Sequence, residues 1–235
     1  MTAGESIRNR VAQVLDRIAR ASERSGRKGE DVRLVTVGKM QPVESIGEAI
    51  EAGLTVFGEN YVQEAEGKIR AFPQAEWHLV GKLQRNKVKR AVSLFSWIQT
   101  VDSAGLLAEI SRRAEEAGKV LPVLVEVNLA GERSKTGVAP GELAELIVAA
   151  PGLPGVRLRG LMAIPPWTDD PEESRPYFIR LRELLAECAS RGGAGSGMTE
   201  LSMGMSDDFE AAIEEGATMV RVGTAIFGSR ARRGA

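Results

Sequence analysis

Two neighbouring segments near the C-terminal end decide the fold: Leu201–Asp208, which reads LSMGMSDD, and Met219–Gly228, which reads MVRVGTAIFG. In each, a short apolar run ends in small polar residues that expose the backbone, and a helical pattern follows. Free N–H groups, hydroxyls and glycines at such junctions are typical of phosphate sites. Two such junctions in succession match the phosphate site that (β/α)8 barrels often build after strands seven and eight. The alternative is an ordinary turn glycine followed by a helix N-cap.

The same alternation of apolar runs and helical patterns extends back through the chain. A first amphipathic helix is predicted over Glu5–Ser25. No internal linker divides residues 1–235, so we predict one domain. Eight short apolar runs predict strands, over Arg33–Val37, Thr55–Phe57, Glu76–Val80, Trp97–Val101, Pro122–Val127, Leu158–Ala163, Glu200–Met203 and Met219–Val222.

Helical patterns separate these strands, and four of the predicted helices are followed by a glycine, at positions 53, 118, 192 and 216. Eight strands with intervening helices favour an α/β fold: a single (β/α)8 TIM barrel with an extra N-terminal helix. The alternative is a doubly wound open sheet. The glycine-rich segment 192–197 is predicted to be a flexible loop. The predicted helices are Val43–Ala52, Tyr61–Ala71, Asn86–Phe95, Ala104–Ala117, Gly141–Ala149, Pro171–Arg191 and Ser206–Glu215.

Composition argues against several classes of function. The net charge of −1 gives no sign of binding to nucleic acid or to an anionic membrane, and no apolar run is long enough to span a bilayer. A single cysteine, Cys188, makes no internal disulfide and favours a core position in a reducing, cytoplasmic compartment. The single histidine, His78, argues against a histidine-rich metal site and is predicted to be a core residue.

Lys39 lies at the end of the first predicted strand. With a period of two, Val35, Val37 and Lys39 share one face, which would point into the barrel. At the carboxyl mouth of a barrel, burial would lower the pKa of this lysine and make its free amine available for a Schiff base. The alternative is a lysine at the end of a strand that simply reaches solvent.

Strand eight places Arg221 on the inward face, two residues before Gly223. A buried arginine needs a carboxylate or a ligand acceptor, and the structural alternative is a pair with Glu200 or Asp207. Thr224 then opens a short helical turn whose N–H groups and hydroxyl suit a phosphate. An inward lysine, an inward arginine and a phosphate cup together suggest a site for pyridoxal 5′-phosphate (PLP).

Two other junctions reach the same predicted mouth. Asn60 is either a helix N-cap with Gln63 as its capping-box partner or a ligand-binding residue, and spacing does not decide between them. The loop Ser134–Gly137, after strand five, is predicted to be able to close over the mouth.

Four motifs resemble the YggS/PROSC family of PLP homeostasis proteins, which are similar to the N-terminal barrel of alanine racemase. They are Phe57–Glu64 (FGENYVQE), Trp77–Lys87 (WHLVGKLQRNK), Leu201–Asp208 (LSMGMSDD) and Arg221–Gly228 (RVGTAIFG). Together they span nearly the whole chain, from the second predicted strand to the last. The segment Gly38–Met40 departs from the family, which commonly has a serine before the lysine and a small polar residue after it.

The resemblance implies six cofactor-binding residues. It implies that Lys39 carries the Schiff base, that Arg221 faces the pyridine nitrogen and that Asn60 lies near the ring. It also implies that the phosphate lies among Ser202, Gly223 and Thr224.

The resemblance also implies what the protein does with PLP. An arginine against the pyridine nitrogen keeps it unprotonated and makes the ring a poorer electron sink. Racemisation would need a second acid–base group, which in alanine racemase is a tyrosine from a further domain of the partner subunit. The sequence ends at Ala235 and has only Tyr61 and Tyr177, so we expect no such group.

We therefore expect a monomeric PLP-binding protein of intracellular PLP homeostasis or supply, without catalytic turnover. PLP-dependent apoenzymes are its candidate partners. The alternative is a PLP-dependent amino-acid racemase.

Overall fold

Eight parallel strands form a closed barrel in the computed structural model, which describes residues 6–132 and 136–228. They pair in sequence order, and β1 closes the barrel by pairing with β8. This confirms the predicted (β/α)8 barrel over the open sheet. The strands are β1 (Arg33–Val37), β2 (Val56–Glu59), β3 (Glu76–Leu79), β4 (Trp97–Val101), β5 (Leu121–Glu126), β6 (Val156–Met162), β7 (Glu200–Ser202) and β8 (Met219–Val222).

Helices follow the strands, and one helix precedes them, as predicted. The extra helix α1 packs against α8 and α9, where Arg17 pairs with Glu210 at 2.9 Å. The helices are α1 (Ile7–Arg24), α2 (Val43–Glu51), α3 (Val62–Ala71), α4 (Val88–Leu94), α5 (Ala104–Glu116), α6 (Leu143–Ala149), α7 (Arg175–Ser190), α8 (Phe209–Glu214) and α9 (Thr224–Phe227).

Two apolar clusters hold these layers together. The larger one joins the helices to the outward faces of the strands and includes the buried Cys188. The smaller one fills the barrel and contains Val35, Leu124, Met162 and Met219, with Val37 packed against it. This confirms the prediction that Val35, Val37 and Met219 face the interior of the barrel. Since side chains alternate along a strand, residues 39 and 221 share that face and point toward the mouth.

Pairing between strands, rather than hydropathy, sets the strand ends that differ from prediction. β2 continues to Glu59 instead of ending at Phe57, because Gly58 and Glu59 pair with His78 and Leu79 of β3. In a sequence, a charged residue after an apolar run predicts the start of a loop, but Glu59 lies within the sheet.

The helix starts differ for related local reasons. The helix predicted from Ser206 begins at Phe209, because the Asp208 carboxylate accepts the Met205 N–H at 2.6 Å and holds a turn there. The first helix starts at Ile7, and Ser6 is its N-cap residue. The predicted start at residue 5 lies outside the described residues.

The glycine-rich segment before β7 is ordered rather than a flexible loop. Gly193–Gly197 forms a 3₁₀ helix against α7. A Cβ on Gly195 would come within 2.1 Å of the Cys188 carbonyl oxygen, so the close approach requires glycine. The four glycines predicted to follow helices, Gly53, Gly118, Gly192 and Gly216, all have positive φ. That residues 1–235 form a single domain stays a prediction.

Candidate functional site

A cavity of about 190 Å³ opens at the carboxyl ends of the strands, where barrel enzymes carry their chemistry. This volume is below the range of drug-sized pockets and suits one compact ligand. Residues that follow β1, β2, β7 and β8 meet around it. Five of the six predicted site residues line the cavity: Lys39, Asn60, Arg221, Gly223 and Thr224.

Lys39 lies in a turn two residues beyond the end of β1 and is half-buried. It lines the cavity instead of extending only into solvent. The turn is unusual on both sides of the lysine. A Cβ on Gly38 would lie 2.7 Å from Ile46 Cδ1 and 3.0 Å from Glu59 Oε1, and Met40 has a left-handed φ of 60°.

Asn60 is not the helix N-cap that one interpretation of the sequence predicted. Helix α3 begins at Val62, and the N-cap residue is Tyr61, which makes no side-chain capping bond. The turn into the helix therefore comes one residue later than expected, and Asn60 is left at the cavity wall. The capping box with Gln63 is wrong for the same reason.

Arg221 is buried at the base of the cavity and makes no ion pair with either predicted carboxylate. Its Nη1 donates to Ser202 Oγ at 2.7 Å, and its Nη2 donates to the Ala163 carbonyl at 2.9 Å. Glu200 pairs instead with Arg159. Burial lowers the pKa of Arg221 to about 10, so the guanidinium remains a cation at neutral pH.

The arginine begins a chain of hydrogen bonds that runs down the interior of the barrel. Ser202 Oγ donates to Gln99 Oε1 at 2.7 Å, and Gln99 Nε2 donates to His78 Nδ1 at 2.7 Å. His78 Nε2 then donates to Glu76 at 2.8 Å. Burial lowers the pKa of His78, consistent with a neutral core histidine. Sequence reasoning missed Gln99, because a polar residue inside an apolar strand gives no signal of its partner.

Ser202, for which the resemblance implies a phosphate contact, is the one predicted site residue that does not line the cavity. Ser202 is fully buried below the cavity, and its single hydroxyl proton is used in the bond to Gln99. Ser206 lines the cavity in its place. Its Oγ accepts the N–H groups of Gly223 and Ala225, at 3.3 and 3.2 Å, which leaves its own proton to donate.

A tight turn after β7 brings Ser206 to this position. Gly204 has φ of 89°, and a Cβ there would lie 2.5 Å from the Ala212 side chain. The Gly204 carbonyl also accepts the Arg221 N–H at 3.0 Å. The glycine followed two residues later by a hydroxyl was the signal in the sequence that could have identified Ser206.

An acidic residue that sequence analysis missed lies near the mouth. Glu126, at the end of β5, is nearly buried, and its burial raises the pKa of its carboxyl. Thr136 donates to Glu126 at 2.6 Å from the loop predicted to close over the mouth. Ser134 and Lys135 of that loop lie outside the described residues.

Two kinds of feature are absent from the described residues. Across residues 6–132 and 136–228, no cluster of three or more histidine, cysteine, aspartate or glutamate side chains could hold a metal ion. In the same ranges, no helix is long and apolar enough to cross a membrane.

Comparisons with known proteins agree with this geometry. Residues 11–231 match the family described as alanine racemase, N-terminal domain. The pyridoxal phosphate homeostasis protein of Aquifex aeolicus is 46% identical, over 94% of this chain and 97% of its own length. The chain belongs to the family of pyridoxal phosphate homeostasis proteins.

Solved structures of other proteins share the barrel. PipY of Synechococcus elongatus PCC7942, solved with PLP bound, is 37% identical and superposes with a TM-score of 0.85, covering 95% of this chain and all of PipY. Alanine racemase of Clostridium difficile 630 is 17% identical, with a TM-score of 0.73. The chain covers only 58% of that racemase, and at this identity the likeness concerns the fold alone.

Proposed function

We propose that this chain binds PLP at the barrel mouth and acts in intracellular PLP homeostasis or supply. The observation that carries the proposal is one cavity lined by an amine, a buried guanidinium and a hydroxyl-rich turn, from Lys39, Arg221 and Thr224. The names of the relatives and the PLP bound to PipY support the same ligand.

The residues of the cavity fit the functional groups of PLP. Bound PLP would supply an aldehyde and an aromatic ring able to accept electrons. Lys39 would hold the cofactor covalently, through a Schiff base between its amine and the aldehyde carbon that forms with loss of one water. Arg221 would donate to the pyridine nitrogen, and Asn60 would lie beside the ring.

The phosphate is assigned to the turn between β8 and α9. Gly223 lets this turn pack closely on β1, because a Cβ there would lie 3.1 Å from the Val37 carbonyl oxygen. Thr224 and Ser206 offer hydroxyl donors, and the Thr224 N–H, the first of α9, has no partner within the helix. Hydrogen bonds to a charged group are worth about 1.5–3 kcal/mol each, so this cup would supply much of the affinity.

The same geometry favours binding over turnover. Arg221 keeps its charge and cannot serve as a general acid. Neither tyrosine of the described residues lines the cavity, although a racemase needs an acid–base group opposite the lysine. We therefore propose that the chain has no racemase activity, that it acts as a cytoplasmic monomer, and that PLP-dependent apoenzymes receive its cofactor.

Borohydride trapping tests the proposal. Purified protein mixed with PLP should absorb as a Schiff base, and reduction followed by peptide mass mapping should place one pyridoxyl group on Lys39. Lys39→Ala should lose the label. Lys82→Ala, which removes a different lysine, in the loop after β3, should keep it. A label at another lysine, or no label, would overturn the assignment. Conversion of L- to D-amino acids that disappears in Lys39→Ala would favour the racemase.

A further inference from the structure

A buried ionic cluster lies directly beneath the turn that carries Lys39. The Lys68 ammonium, on α3, donates to Glu59 Oε1 at 2.8 Å, to Glu64 Oε1 at 2.7 Å and to the Gly38 carbonyl at 2.7 Å. These three bonds use all three of its protons. The side chains of Lys68 and Glu59 are 4% and 0% exposed, so water does not compete for these bonds.

The cluster holds the peptide groups on both sides of Lys39. The Gly38 carbonyl belongs to the peptide before the lysine, and it accepts from Lys68. The Met40 N–H belongs to the peptide after the lysine, and it donates to Glu64. Since Lys68 also binds Glu64, one ammonium ties both anchors together.

The turn needs such support, because its backbone is not relaxed. Met40 has a left-handed φ of 60°, a conformation that L-residues other than glycine avoid. Residues held in such conformations persist only where their surroundings enforce them. The turn is closed by the Gln41 N–H, which donates to the Gly38 carbonyl at 3.0 Å, and the bond from the Met40 N–H to Glu64 holds the residue between them.

We propose that Lys68, Glu59 and Glu64 are positioning residues that hold the Lys39 turn so that its amine meets the aldehyde of PLP. The inference rests on the proposed function. The competing explanation is that the cluster only stabilises the barrel. The two differ, because a buried ion pair can be replaced by apolar side chains of similar size without loss of stability, but apolar side chains cannot hold peptide groups.

The first test uses the ligand-free protein. Lys68→Met should speed hydrogen exchange of the Met40 amide, followed by NMR, by about tenfold, the equivalent of about one hydrogen bond. The matched control is Glu66→Gln on the exposed face of the same helix, where Glu66 binds Arg90 at 3.1 Å; it should leave this amide unchanged. Unchanged exchange in Lys68→Met would overturn the inference.

The second test separates positioning from stability. In Glu59→Leu/Lys68→Met both buried charges are replaced by apolar groups, so the unfolding midpoint should recover relative to Lys68→Met. The rate of covalent capture of PLP, followed by absorbance, should nevertheless stay about tenfold below that of the parent, the equivalent of about one lost bond. Recovery of both together would show that the cluster only stabilises the fold, and would overturn the inference.

The outcomes also separate this inference from the proposed function. If the parent is not labelled on Lys39, the proposed function fails, while Met40 exchange in the ligand-free protein still decides whether the cluster holds the turn. If the parent is labelled and Lys68→Met captures PLP at the parental rate, the proposed function stands and the positioning role is overturned.

Discussion

Within residues 6–132 and 136–228, the barrel buries two cations near its mouth, and it satisfies them in opposite ways. Lys68 contacts two carboxylates and a carbonyl directly. Arg221 donates to a hydroxyl and a carbonyl, and Asp208 and Glu126 act on it from a distance. Of the five N–H donors of a guanidinium, two have partners among the described residues.

Lys68 is thus a cation whose hydrogen bonds are all made within the protein, whereas Arg221 still has donors for a ligand. All three protons of Lys68 are bonded, so this residue can organise its surroundings but cannot bind anything new. Arg221 borders the cavity with donors to spare. A buried guanidinium without a direct carboxylate is costly, and a ligand acceptor would offset that cost.

The largest expected effect on the free energy of unfolding comes from removing the charge of Lys68. Lys68→Met leaves two carboxylates without their cation and should lower the free energy of unfolding by about 3–5 kcal/mol. Arg221→Gln, which leaves no carboxylate unpaired, should cost the ligand-free protein about 1–3 kcal/mol. Urea unfolding of both variants without PLP gives the comparison, and a larger loss in Arg221→Gln would reverse it.

The second effect is a pH dependence carried by Glu59. Burial raises the pKa of Glu59 to about 7, against 4.5 for an exposed glutamate. Between these values the folded protein binds more protons than the unfolded chain. The stabilising contribution of Glu59 is therefore complete below pH 4.5 and is lost as the pH rises through about 7.

Glu59→Gln removes this titration and isolates its contribution. The stability of the parent relative to the variant should fall by at most about 3 kcal/mol between pH 4.5 and 7. Urea unfolding at both pH values measures it. Parallel pH profiles for parent and variant would show that Glu59 does not change its protonation on folding.

The third effect concerns the ligand side alone. Arg221→Gln should weaken PLP binding about tenfold or more, because one hydrogen bond from a charged donor is worth about 1.5–3 kcal/mol. Equilibrium dialysis measures affinity without relying on the Schiff base. Gln99→Leu, which breaks the interior chain one link below Ser202, should have a smaller effect. Equal losses would mean that Arg221 acts only through the chain beneath it.

The smallest effect tests the proposed phosphate cup. Ser206→Ala and Thr224→Ala should each weaken PLP binding about tenfold, equivalent to about 1.5 kcal/mol, without changing affinity for pyridoxal, which lacks the phosphate. Ser202→Ala serves as the matched control of the same residue type and should change the two affinities equally. A phosphate-specific loss in Ser202→Ala would restore the original assignment.

The barrel was predictable because its signals are local and repeated. Eight apolar runs alternate with helical patterns, and the strands that they form pair in sequence order. Period two alone correctly placed Val35 and Val37 inside the barrel. The exact ends of β2 and α8 were not predictable, because pairing with β3 and a carboxylate-held turn decide them.

The candidate site was predictable where residues lie at or just beyond the end of a strand, as Lys39, Arg221, Gly223 and Thr224 do. The position of Ser202 was not predictable, because a hydroxyl at a strand end points either into the barrel or over its mouth. The turn at Gly204 decides between them and brings Ser206 to the cavity instead.

The sequence by itself determined the barrel, the mouth and most of the residues around it, because periodicity and glycine placement act over a few residues. Only the tertiary structure decided what those residues touch. Glu64 and Lys68 read as an ordinary exposed pair four residues apart on a helix, yet Lys68 is buried between Glu59 and the Lys39 turn. Burial and partners depend on segments far apart in the chain, and local patterns carry no record of them.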